Sequence, residues 1–109
     1  MARSDALQGS LPMLILKILA RRGAMHGYAI TTQIETFSSE VLRVEEGSLY
    51  PALHRLEESR LVKARWVVTT KNRRARVYEI TAAGRRHLEA EEKRWRKVTL
   101  AVGQLLQRI

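Results

Sequence analysis

The sequence predicts a mainly α, α+β fold built from three short helices, a two-stranded hairpin and a long terminal helix. Three observations carry this. Leucine and isoleucine recur every three to four positions in three separate stretches before residue 61; two runs rich in Val, Trp and Tyr flank the polar turn KNR; and apolar residues recur every seven positions from residue 88 to the end. A chain of 109 residues is large enough for one modest core and short for a monomer that must also enclose an active site.

The first helix is expected over residues 5–21, where Leu7, Leu11, Leu14, Ile15, Ile18 and Leu19 follow the helical period and Gly23 supplies a stop. Pro12 falls in its early turns. If the regular helix starts at Ser10, the proline forgoes no hydrogen bond; a start at Asp5 would bring a kink. Ile30, Ile34 and Phe37 mark a second helix from about 27 to 38, with His26 near its start. The polar segment SSEVLRVEE leads to a third, in EEGSLYPALHRLEESRLV, whose Leu49, Ala52, Leu53 and Leu56 form one stripe. Pro51 is acceptable there if Ser48 is the N-cap, because the first turn has no acceptor for the missing amide; a start two residues earlier would put a bend at the proline. VKARWVVTT and RARVYEI contain no proline and form the hairpin. Thr81 then caps a helix running from 82 to about 107.

Three helices followed by a hairpin is the order of a winged helix-turn-helix, in which the third helix enters the DNA major groove and the hairpin reaches along the backbone. Residues 1–81 are read as that DNA-binding domain and 82–109 as a dimerisation helix. In the latter, Leu88, Trp95, Val102 and Ile109 lie seven apart, with Glu91, Val98 and Leu105 at the companion positions of a heptad seam. The competing reading packs this stripe on its own domain. Dimerisation is preferred because the helix is long and follows a fold that already has a core.

Charge supports the same picture. Twenty Lys and Arg against eleven Asp and Glu give +9, which favours phosphate-rich partners. The excess is concentrated: residues 1–45 hold five basic and four acidic groups, residues 46–80 eight and four, and KNRRAR carries four cations in six positions. Lys71, Arg73, Arg74 and Arg76 are therefore read as phosphate clamps on the wing. On the third helix, Ser48, Tyr50, Pro51, His54 and Arg55 fall on the arc opposite the leucines. Hydroxyls, an imidazole and a guanidinium near a helix N-terminus suit phosphates and base edges, and Arg55 has the fork for guanine. The plainer readings are a solvated hairpin tip, a Tyr50 that pads the helix flank and a His54 that is an ordinary surface histidine.

GSLYPALHRLEES, preceded by SLPMLILKILARRGAMHGYAI and followed by RRARVYEITAAGRRHLE, resembles the short form of the PadR family of bacterial transcriptional regulators, over residues 8–107. The resemblance implies a cytoplasmic homodimeric repressor that binds double-stranded operator DNA. No cofactor and no metal are expected. It implies that Tyr28, Ser48, Tyr50, Pro51 and His54 face DNA. Some family members bind aromatic effectors between subunits against the terminal helix, where Trp95 occupies a similar place. The dimer interface is then expected at Leu88, Trp95, Val98, Val102, Leu105 and Ile109. Two departures stand out: the family's usual glycine after the third helix is Arg60 here, and its usual glycine in the wing turn is Asn72. Arg60 held in the left-handed conformation would cost roughly 1 kcal/mol, whereas Asn tolerates it.

Other classes fit less well. The three histidines, His26, His54 and His87, are scattered, and there is no Cys and no Gly-rich phosphate loop, which argues against an enzyme. The longest apolar run, Met13 to Leu16, is far below the roughly 20 residues of a membrane span, and no export signal is evident. RNA binding lacks an exposed aromatic platform. A non-enzymatic dimeric interaction module and a non-specific nucleic-acid binder are the alternatives.

Overall fold

The computed structural model of the protein describes residues 9–109. Its elements are α1 (Leu11–Arg22), β1 (Met25–His26), α2 (Gly27–Phe37), α3 (Glu46–Glu58), β2 (Val62–Val68), β3 (Arg74–Ile80) and α4 (Ala82–Arg108). The expected part of the first helix at 5–8, with Leu7, lies outside the described residues. Within them α1 starts directly after Ser10, so Pro12 stands in the first turn, where its missing amide has no intrahelical acceptor. Gly23 ends the helix at φ 91°, a conformation glycine adopts freely, and its amide closes the last turn on the Leu19 carbonyl at 3.0 Å.

The expected stripes form one core. Leu11, Ile15, Leu16 and Leu19 of α1 meet Ile30 and Ile34 of α2, Leu49, Leu53 and Leu56 of α3, and Val62, Tyr78 and Ile80 of the sheet. Each fully buried aliphatic side chain contributes about 1.5–3 kcal/mol relative to exposure. Val44 is also buried and Leu42 packs against the core, so the connection from α2 to α3, polar by composition, is anchored from inside.

Three details correct the sequence reading. The sheet has three strands in the order β1-β3-β2, not two. Met25 pairs with Tyr78 and His26 with Val77 on the free edge of β3, and a two-residue strand is too short to show any period. Second, α3 takes the earlier of the two starts the sequence leaves open, at Glu46, with Glu45 rather than Ser48 at the N-cap; the Ser48 and Leu49 amides both reach the Glu45 carbonyl at 3.0 Å. Pro51 is thus inside the helix and leaves the carbonyl of exposed Gly47 to water. Glu46 in the first turn favours the longer helix by complementing its positive end. Third, Leu88 belongs to the chain's own core and is not part of a free seam.

The junctions fit the departures noted above. After α3, Arg60 has φ 62°; its amide bonds the Glu57 carbonyl at 3.0 Å and the Leu61 amide the Leu56 carbonyl at 2.9 Å, the Schellman pattern of a left-handed helix end. Asn72 has φ 59° in a wing turn closed by its amide on the Thr69 carbonyl at 2.9 Å. Thr81 caps α4: its hydroxyl oxygen accepts from the Gly84 amide at 3.0 Å, while the hydroxyl is 2.8 Å from the Arg60 carbonyl. Here α4 lies so close to the end of α3 that a Cβ on Gly84 would run into the Leu61 carbonyl.

Candidate nucleic-acid interface

Because Leu49, Ala52, Leu53 and Leu56 face the core, helical geometry sends the residues between them outward. Tyr50, Pro51, His54 and Arg55 are exposed and Ser48 is half-buried. Tyr50 keeps 43% of its surface exposed, yet its ring also lies on the start of α2: a Cβ on Gly27 would stand 2.9 Å from the Tyr50 ring edge and hydroxyl. The glycine at the head of α2 thus lets the phenol seat there. One residue on, Tyr28 is exposed over 76% of its surface, its carbonyl accepting from the Thr31 hydroxyl at 2.7 Å.

Part of the outward arc meets the root of the wing. Tyr50, His54, Glu57 and Glu58 of α3 and Arg76 and Tyr78 of β3 line a single open groove of about 430 Å³. Charge inside it is largely compensated. Arg76 donates to Glu57 at 2.6 Å, and His54 Nε2 lies 3.4 Å from Glu58, an ion pair whenever the imidazole is protonated. Burial raises the pKa of the Tyr78 phenol; the Arg76 guanidinium opposes this, while the Glu57 carboxylate and the Tyr50 phenol reinforce it. Tyr78 therefore stays a neutral hydrogen-bonding group at any physiological pH.

Beyond the groove the balance is positive. Lys71, Arg73 and Arg74 are exposed at the wing turn and the start of β3, and Arg55 is exposed on the helix. Arg74 rests on the face of Trp66, 4.6 Å from the ring centroid, a cation–π contact that orders the guanidinium while leaving it accessible. Arg76 differs from the other three wing cations in turning inward to Glu57. Glu57, Trp66 and Gly27 were not singled out from the sequence. The turn held a clue to one of them: centring it on Lys71 pairs Trp66 with Arg76, as the register shows.

On the terminal helix the expected seam divides. Trp95, Val98 and Val102 are about half exposed, Leu105 is 58% and Ile109 97% exposed, whereas Leu88 is buried. Glu91, the flaw in the repeat, pairs with Arg94 at 2.8 Å. Trp95 and Val98 also border a cleft of about 260 Å³ against Ser10 and Met13 of the α1 start. Among the described residues no helix is long and apolar enough to cross a membrane, and no cluster of three or more His, Asp or Glu stands ready for a metal ion.

Residues 15–90 match the model of the transcriptional regulator PadR-like family. Among solved structures, a transcriptional regulator from Clostridium thermocellum superposes with a TM-score of 0.83 at 27% identity, covering 92% of this chain and 96% of that one. A PadR-like transcriptional regulator from Bacillus cereus gives 0.79 at 29% identity, over 94% and 97% of the two chains. The fold is also that of Bacillus subtilis PadR in complex with operator DNA, with a TM-score of 0.65, 24% identity, and coverage of 73% of this chain and 45% of that one.

Proposed function

The chain belongs to the PadR-like family of transcriptional regulators, and from that premise we propose that it is a repressor that binds an inverted-repeat operator as a homodimer. The observation that carries this is the shared groove: the outward side chains of α3 and the β3 edge of the wing border one open surface, as they must if helix and wing are to grip one duplex. The use of this fold on operator DNA by the Bacillus subtilis protein supports the reading. In this account α3 enters the major groove with Ser48, Tyr50, Pro51, His54 and Arg55, Tyr28 joins from the head of α2, and Lys71, Arg73 and Arg74 hold phosphates.

The exposed seam of Trp95, Val98, Val102, Leu105 and Ile109 is covered by the same seam of a second copy. Two-fold symmetry then sets the recognition helices about 34 Å apart, in successive major grooves. The bound dimer blocks polymerase in the cytoplasm. An aromatic effector near Trp95 would release DNA by respacing the two helices, which needs unequal affinity for the two arrangements; the Trp95 cleft supports such a site. Quenching of Trp95 fluorescence by planar compounds, measured after Trp66→Phe, checks the effector.

Selection of bound duplexes from a random pool tests the main reading, with a palindromic consensus as the expected outcome. If the dimer neutralises some 6 to 10 phosphates, affinity falls roughly 10³- to 10⁵-fold between 50 and 200 mM salt. Replacing Arg73 and Arg74 by Ala should weaken all duplexes alike and flatten that dependence, whereas Tyr50→Phe or His54→Ala should hurt the selected site more. Equal losses on selected and random duplexes would refute the division of roles.

A further inference from the structure

Arg76 stands at a mechanical boundary. β1 pairs only with Val77 and Tyr78, so from Arg76 outward the wing is a bare two-stranded ribbon, Trp66 opposite Arg76 and Val68 opposite Arg74. Two-stranded ribbons are marginal by themselves. At this point Arg76 Nη2 donates to Glu57 Oε2 at 2.6 Å, linking β3 to the last turns of α3. Its Nε is covered from solvent and has no acceptor. Its Cζ lies 5.4 Å from the centroid of the Trp66 ring, on which Arg74 also rests at 4.6 Å.

We propose that Arg76 is a positioning residue and not a phosphate clamp: the Glu57–Arg76–Trp66 series is a strut that fixes the wing's angle to α3, and so sets how Arg73 and Arg74 meet the duplex that α3 reads. This rests on the DNA-binding reading above. Electrostatics favours the strut when DNA arrives. To hold a phosphate, Arg76 would have to abandon a short charge-assisted hydrogen bond, leaving Glu57 as an unpaired carboxylate beside a polyanion. Keeping the pair avoids that repulsion. Trp66 then serves both arginines through one ring, with its cation-attracting face turned to them.

The two roles predict opposite signs for Glu57→Ala. A clamp freed from its carboxylate would bind the selected operator more tightly and with a steeper salt dependence. A strut that loses its anchor binds about tenfold more weakly, the equivalent of one hydrogen bond to a charged group, with no steeper salt dependence. A second measurement needs no DNA. The chain has no native cysteine, so spin labels at Glu46→Cys and Thr70→Cys, diluted into unlabelled protein, report the distance from helix to wing. That distribution should broaden with Glu57→Ala and with Trp66→Ala, and stay narrow with Trp66→Phe, which keeps the aromatic face. Unchanged distances in both alanine variants, or tighter operator binding by Glu57→Ala, would overturn the strut while leaving the regulator reading intact. If the unaltered protein binds no duplex, the regulator reading fails and takes the strut's role in recognition with it.

Discussion

The two ends of α4 are one continuous helix with opposite surroundings. In its first turns Gly84 and Leu88 are buried, and Glu92 pairs with Lys17 of α1 at 3.0 Å. From Lys93 onward every residue is exposed, although Trp95, Val102 and Ile109 continue the seven-residue spacing that Leu88 begins. A helix of 27 residues is about 40 Å long, more than this core can cover, and the molecule is accordingly elongated at 57 × 28 × 21 Å. The stripe records that something covers the helix. It does not record what: the core covers the first part, and in our proposal a second copy covers the rest. α4 therefore stays beside the body well beyond its first residue, with Trp95 and Val98 still bordering the start of α1.

Substitutions at the two ends should differ in kind as well as size. The largest effect is expected from Gly84→Ala. The added Cβ meets the Leu61 backbone carbonyl and comes within 2.7 Å of Ile80, and a backbone group cannot swing aside as a side-chain tip can. A loss near the upper end of the overpacking range, about 3 kcal/mol, should appear in denaturant unfolding at every protein concentration. Full stability in this variant would break the claim that the near end of α4 is part of the body.

Val102→Asp probes the far end. It should leave the fold's helical signal in place but abolish self-association in sedimentation, and with it the dependence of Tm on protein concentration. At a concentration 100 times the dissociation constant, that dependence represents about 2.7 kcal/mol. A monomeric parent protein, or a variant that still associates, would remove the second copy from the account. The smallest change is expected from Arg60→Gly, which relieves a left-handed residue at φ 62° and should raise stability by roughly 1 kcal/mol. Because Arg60 lies at the root of the wing, this gain should be independent of concentration. A lower Tm would mean that the arginine side chain contributes more than its backbone costs.

Much of the body was legible because its signals are local. The leucine stripes, the hairpin and the Thr81 cap depend on residues a few positions apart, whereas the left-handed Asn72 follows from the family resemblance, as the residue standing where a glycine is usual. The failures are non-local. β1 exists only because β3 offers it an edge, Val44 is buried only through its packing with the core of distant helices, and of the two starts open to α3 the earlier one forms despite a proline that argues for the later. The candidate interface was legible as an arc of exposed side chains on α3. It was not legible that Arg76 faces Glu57: Arg74 and Arg76 lie on one strand face against the same Trp66 ring, and only the packing of α3 beside the root of the wing gives one of them a carboxylate.

By itself the sequence determined the types and order of the helices and of the hairpin, the faces that α1 to α3 bury and the positive wing, since 3.6- and 2-residue periods are written within single segments; the two-residue β1 and the left-handed Ser39 and Glu40 lay beyond it. Tertiary structure alone decided which cation is neutralised, where α4 parts from the core and how Tyr50 seats on Gly27. Those outcomes depend on atoms brought together from distant segments, and the free energy of such a contact belongs to the pair rather than to either residue.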